Sequence, residues 1–293
     1  MNVCLMVEGQ EGVTWEQWVA LAEASERVNL QGLFRSDHYR SIARGEAAGA
    51  LDAWATLAAL AACTNRIRLG TMVSPVTFRS ASVLAKNVVT VDHVSHGRVE
   101  LGIGAGWYEA EHRTYGFHFG TARERLDELD AQLAEIDRQW TRADDVWPRP
   151  YQQPRPPIIV GGRARPRTVA AAVRHADEYN TVFPTLSEAG ERAEILRSAA
   201  RAAGRKPLRF SMMISCVVGE DHAEVAHRLS RWRILAEDPT DEPLLCGTVD
   251  KVATMLAQYA AVGVERAMLQ HLDHEDVGMV ELLGVLAREL AAS

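Results

Sequence analysis

The sequence predicts a (β/α)8 barrel, and three observations carry that expectation. Short apolar runs alternate with longer stretches of helical periodicity along the whole chain, which is the mark of repeated βα units and a parallel sheet. Eight strand-like runs can be counted against at least eight helical ones. Polar residues and glycines dominate the positions just after the runs, where such barrels place their chemistry. At 293 residues and 47% hydrophobic content the chain can bury one large core, so residues 1–293 are expected to form a single domain.

In chain order, Asn2 to Val7 is the first expected strand, followed by a helix over Thr14 to Val28 that carries Trp15, Trp18, Val19, Leu21 and Ala22. Gly32 to Arg35 is the second strand and leads into Ser36-Asp37-His38-Tyr39. An Ala-rich helix spans Asp52 to Cys63, the third strand Ile67 to Val73, and the next helix Ser80 to His93. The fourth strand lies within Arg98 to Trp107, read Arg-Val-Glu-Leu-Gly-Ile-Gly-Ala-Gly-Trp. Thr121 and Glu124 have the spacing of a capping box, so a helix should start there, with Leu126, Leu129, Leu133, Ile136 and Trp140 on its buried face. A proline-rich connector from Trp147 to Pro157 leads to the fifth strand, Ile158 to Gly162. Then come a helix over Arg165 to His175, strand six over Glu178 to Phe183, a helix over Ser187 to Ala203 and strand seven over Leu208 to Val218. A helix over Asp221 to Ala236 precedes an acidic, proline-containing loop from Glu237 to Gly247. A helix over Val249 to Ala261, strand eight over Arg266 to Gln270 and a final helix striped by Met279, Leu283, Leu286 and Leu290 complete the chain.

The strand ends supply the candidate site residues: Glu8, Asp37, His38, Tyr39, Ser74, Thr77, Gly104, Ala105, Gly106, Trp107, Gly161, Gly162, Arg163, Asn180, Gln270 and His271. His38 is a candidate proton donor or hydrogen-bond partner. Glycines at 104 and 106 let backbone N–H groups converge on a phosphate, although the same pattern suits a tight strand exit packed against a neighbour. The helix needed for a dinucleotide fingerprint begins too late, which excludes that reading. Gly161-Gly162-Arg163 opens a helix and offers a second anion site, with an ordinary glycine turn as the alternative. His93 with His96 falls on the bottom face and reads as structural, and His271 with His274 lacks a third metal ligand at a recognisable spacing. No metal is expected. The aromatics Trp107, Tyr108, Tyr115 and Phe117 either wall an apolar pocket or simply pack together.

A net charge of −7 and a pI near 5.8 argue against nucleic acid as a partner. No apolar run of about 18 residues is present to span a membrane. Cys4, Cys63, Cys216 and Cys246 are far apart and read as buried thiols in a reducing compartment, so a cytoplasmic protein is expected.

The motifs together resemble the bacterial luciferase-like family, in the branch that uses the deazaflavin coenzyme F420. The match is carried by residues 36–39, 51–57 (Leu-Asp-Ala-Trp-Ala-Thr-Leu), 67–71, 74–79 (Ser-Pro-Val-Thr-Phe-Arg), 104–108, 157–162 and 176–180. The resemblance covers nearly the whole chain. It implies a barrel with the deazaflavin ring at the C-terminal mouth, bordered by Glu8, Asp37 and His38. It also implies a non-prolyl cis peptide at Val73-Ser74 behind the ring, with a cis Ser74-Pro75 bond as the cheaper alternative. Gly104, Ala105, Gly106, Gly161, Gly162 and Arg163 would hold the cofactor's phosphate and the chain beyond it, and Val73, Ser74, Trp107 and Asn180 are further expected cofactor-binding residues. The branch's sugar-phosphate dehydrogenases have a glutamate where Trp107 stands, so that substrate is not expected. The stretch between Trp140 and Trp147 is shorter than in comparable relatives.

The implied chemistry is hydride transfer between carbon 5 of the deazaflavin and a small organic substrate, with His38 as leading proton donor or acceptor and Glu8 second. The alternatives are a monooxygenase using flavin mononucleotide (FMN) with a separate reductase, and a non-catalytic flavin-binding relative. A homodimer is also implied, with the Ala-rich helix as the face expected to meet its copy.

Overall fold

The computed structural model describes residues 1–43, 48–236 and 242–292. Among them, ten strands are formed: β1 (Asn2–Val7), β2 (Gly32–Arg35), β3 (Arg68–Thr71), β4 (Ser74–Pro75), β5 (Val99–Gly104), β6 (Ile158–Gly161), β7 (Glu178–Val182), β8 (Arg209–Gly219), β9 (Leu244–Thr248) and β10 (Arg266–His271). Eight of them close a parallel barrel in the order β1-β2-β3-β5-β6-β7-β8-β10, and β10 returns to β1 with Asn2 opposite Arg266 and Val7 opposite His271. The helices are α1 (Trp15–Arg27), α2 (Ala53–Cys63), α3 (Ala81–Val94), α4 (Glu109–Tyr115), α5 (Ala122–Thr141), α6 (Pro166–His175), α7 (Leu186–Ala202), α8 (His222–Leu235), α9 (Val249–Ala261) and α10 (Val277–Ala292).

Helix starts follow local chemistry. Thr14 with Gln17, Thr121 with Glu124, and Thr185 with Glu188 each close both halves of a capping box, satisfying donors that the first turn leaves orphaned. Such a cap contributes about 1 kcal/mol.

Period two along each strand separates two apolar regions. On β1, Val3, Leu5 and Val7 face the helices and join the large core between sheet and helices. Cys4 and Met6 face inward and meet Phe34, Met72, Ile159, Met213 and Met268 in a sulfur-rich plug that fills the barrel. Below the plug, at the N-terminal ends of the strands, Arg266 lies between Glu100 (Nη1 to Oε2, 2.8 Å) and Glu178 (Nη2 to Oε2, 3.4 Å), all three buried. Arg68 adds a second ion pair to Glu100. Above the plug the barrel opens.

Four details depart from the sequence expectation. Strand three ends at Thr71, and the non-prolyl cis bond is Met72–Val73, one residue earlier than expected, while Ser74–Pro75 is not cis and forms the short β4 against β5. A seven-residue helix, α4, fills the gap before Thr121. The loop expected from Glu237 to Gly247 holds residues 237–241, which lie outside the described ones, but its second half is strand β9, parallel to Ser215–Gly219 of β8. Of the four cysteines expected to be buried, Cys63 is exposed and Cys246 only partly covered. None of them forms a disulfide. No helix among the described residues is long and apolar enough to cross a membrane.

Candidate functional site

A cavity of about 790 Å3 opens at the C-terminal ends of the strands. The alternation that builds the plug also selects its polar floor: Glu8 continues the inward phase of Cys4 and Met6, Gln270 that of Met268, and Ser215 that of Met213. These side chains are joined. Ser215 Oγ donates to Gln270 Oε1, Gln270 Nε2 donates to Glu8 Oε1 (2.8 Å), and Gln10 Nε2 donates to Glu8 Oε2 (2.9 Å). Ser36 Oγ donates to Gln10 Oε1 and accepts from the Gly9 amide at 2.9 Å. The Glu8 carboxylate is therefore held by neutral amides and faces the cavity with no cation bound to it among the described residues.

His38 stands on the wall beside this belt. Its Nδ1 lies 2.8 Å from Glu111 Oε1, and the other oxygen of Glu111 accepts the Tyr39 amide at 3.0 Å. Glu111 is 1% exposed. Nε2 of His38 makes no hydrogen bond among the described residues, and the rings of Trp107 and Tyr108 meet the imidazole edge-on at 5.9 and 6.2 Å. Burial disfavours the charged imidazole, yet the Glu111 carboxylate, helped by Glu8 and Asp37, outweighs it and raises the His38 pKa above its ordinary value.

The alternate glycines of β5 have an explanation on the wall itself. A Cβ on Gly102 would sit 1.9 Å from the Thr71 carbonyl, and one on Gly104 or Gly161 would meet the Val73 side chain at 2.7 or 2.9 Å. Strand three and Val73 press against these three positions and leave no room for a side chain, as a tight strand exit at Gly102 and Gly104 would require. Gly106 has φ +77°, a conformation that favours glycine. The Gly162 amide is already bonded to Asn180 O, and the Ala164 amide to Tyr179 Oη, both at 2.9 Å. The Arg163 guanidinium is open to an anion: it lines the cavity without a hydrogen bond or ion pair among the described residues, next to the uncapped start of α6.

Of the expected site residues, Glu8, His38, Val73, Gly104, Ala105, Gly106, Trp107, Gly161, Gly162 and Arg163 line the cavity. Asp37, Ser74 and Asn180 do not. Asp37 is 1% exposed behind the wall, where Ser74 Oγ (2.6 Å) and Arg79 Nη1 (2.7 Å) both donate to its Oδ2. Asn180 faces inward but too deep, bonding Ser211 inside the plug. Trp107 is 62% exposed at the mouth, whereas Tyr115 and Phe117 pack on Tyr39 away from the cavity. His271 donates from Nε2 to the Asp276 carbonyl at 3.0 Å and does not reach the cavity wall. Unanticipated wall residues are Gln10, Glu111, Ser215, Phe183, and Trp232 with Leu235 at the end of α8. Period two from Met213 would have marked Ser215; nothing in the sequence marks α4, which carries Glu111.

Together these features define an α/β barrel with a cavity at its C-terminal mouth. More particularly, residues 3–238 match the family model described as luciferase-like monooxygenase, and the chain belongs to that family. An uncharacterized protein of Mycobacterium tuberculosis is 33% identical over 222 residues, 71% of this chain and 73% of that one. Two solved structures share the fold across nearly both chains. The monooxygenase RslO1 from Streptomyces bottropensis is 23% identical with a TM-score of 0.79, covering 100% of this chain and 99% of its own. An F420-dependent secondary alcohol dehydrogenase in complex with an F420-acetone adduct is 16% identical with a TM-score of 0.79, covering 99% and 98%.

Proposed function

We propose that this oxidoreductase transfers a hydride between coenzyme F420 and a small organic substrate at the barrel mouth. The observation that carries the reading is an otherwise unengaged ring nitrogen of His38 facing an apolar cavity large enough for a tricyclic ring and a substrate together. The donor set fits such a cofactor. Arg163 and the α6 N-terminus would hold a phosphate, Val73 and Gly104 to Gly106 would back the ring, and the amide-held Glu8 would border it.

Bound in its reduced form, the cofactor would supply the hydride. His38 would give from Nε2 the proton that the oxygen of a carbonyl substrate takes up, so that an alcohol results. Met72, Val73, Phe183 and Leu235 exclude water from that exchange and favour a neutral, apolar substrate. Side-by-side fluorescence titration with coenzyme F420 and FMN tests the reading. Binding of the deazaflavin with turnover of carbonyl compounds supports it, and binding of neither cofactor overturns it.

The description of the family model favours a second reading, FMN-dependent monooxygenation. Preference for FMN in the same titration, with oxygen consumed once the cofactor is reduced, would select it.

A further inference from the structure

We propose that Glu111 is the positioning residue for His38, fixing which ring nitrogen faces the cavity and keeping the ring a proton donor. The inference deepens the assignment of His38 above and rests on it.

Glu111 reaches His38 from α4, an element whose place is set from both sides. Its neighbour His112 lies 2.6 Å from Thr77 Oγ1 through Nε2 and 2.8 Å from Tyr108 O through Nδ1. Phe78, Phe117 and Phe119 pack around the His112 ring with centroids 5.1, 6.2 and 4.6 Å away. A carboxylate so held can only accept hydrogen bonds. It takes one from the Tyr39 amide, which pins the segment carrying His38, and one from His38 Nδ1. The neutral ring must therefore carry its hydrogen on Nδ1 and turn Nε2 to the cavity.

The groups facing the ring favour the cation. They are Glu111 from α4, Glu8 from the end of β1, and Asp37, the preceding residue, whose carboxylate is shared with Arg79 and Ser74. Trp107 and Tyr108 cover the other edges. With Glu111 neutral, burial would act on the imidazolium with only the more distant acids against it.

Histidine side-chain NMR on the cofactor-free protein tests this without any assumption about substrate, His38 being identified by the signal missing from His38→Gln. In the native protein the neutral ring should show the Nδ1–H tautomer, and the titration midpoint should lie above that of an ordinary histidine. Glu111→Gln, which can still accept the Tyr39 amide, should lower the midpoint and populate the other tautomer. Once a substrate is known, the alkaline limb of its kcat profile should move to lower pH in Glu111→Gln and turnover above neutrality fall on the order of tenfold, with Glu111→Asp between. An Nε2–H tautomer in the native protein overturns the proposal even if Glu111→Gln fails to fold, and so does an unchanged midpoint in a folded variant. If the tautomer and midpoint behave as expected but neither cofactor binds, the proposed function fails and the pairing stands.

Discussion

Both ends of the barrel hold carboxylates, in different company. At the N-terminal end Glu100 and Glu178 flank Arg266, with charge answering charge and no opening to solvent. At the C-terminal end Glu8 is held by two neutral glutamine amides, and His38 has one nitrogen bound and one spare. Charge spent on a fixed counter-charge builds a floor. Charge steadied by neutral donors stays available to whatever enters, and the proposed function rests on that difference.

The strongest test of this contrast is Arg266→Met. It removes the cation buried between two acids and leaves Glu100 only Arg68 and Glu178 only the more exposed Arg209, and denaturant unfolding should show a loss of about 3 kcal/mol. A midpoint equal to that of the native protein would mean the floor is not structural. His38→Gln should do the reverse, lowering turnover by about 100-fold or more while stability changes by about 1 kcal/mol or less, because an amide there can still donate to Glu111. Comparable losses at both sites would erase the distinction. Glu8→Gln should cost about 1 kcal/mol, since an amide in place of the carboxylate must set one N–H group against the donors of Gln10 or Gln270. Calorimetry would show it, together with weaker cofactor binding.

The pH dependence of unfolding sharpens the same comparison. Glu178 is pushed from 4.5 up to about 7 by burial, against the pull of Arg266 and with the help of Glu100. Burial also opposes the charge on Glu100, but Arg266 and Arg68 prevail and hold its pKa below the usual value. A raised folded pKa gives stability that is full below the unfolded value and lost as pH climbs through the folded one. Stability should therefore decline between pH 4.5 and about 7, and that decline should be absent in Glu178→Gln. The His38 share is lost at higher pH, above 6.5, and should vanish in His38→Gln. Unfolding midpoints across that range would separate floor from mouth.

The frame was legible because the eight barrel strands and the long helices announce themselves locally: β1 by its apolar run, α5 by the Thr121 and Glu124 pair. Glu8 and His38 were legible because strand ends are where barrels work. Asp37 was misplaced because it follows the inward Ser36 and so falls out of phase, and Asn180 because it is in phase but a layer too low. Glu111 was invisible, since its partner lies 73 residues away in sequence and only the docking of α4 joins them.

Val73 also ties several positions into one heritable unit. Its side chain occupies the space that Cβ atoms on Gly104 and Gly161 would need, so two codons on two strands are held by one residue in the turn between β3 and β4. Drift at any of the three is conditional on the others. A lineage that shrinks residue 73 to alanine frees Gly104 and Gly161 to vary, and one that keeps valine does not. Surveys of variants should find substitutions at these positions arriving together rather than singly, and a directed-evolution library that diversifies the cavity wall should vary them as a block.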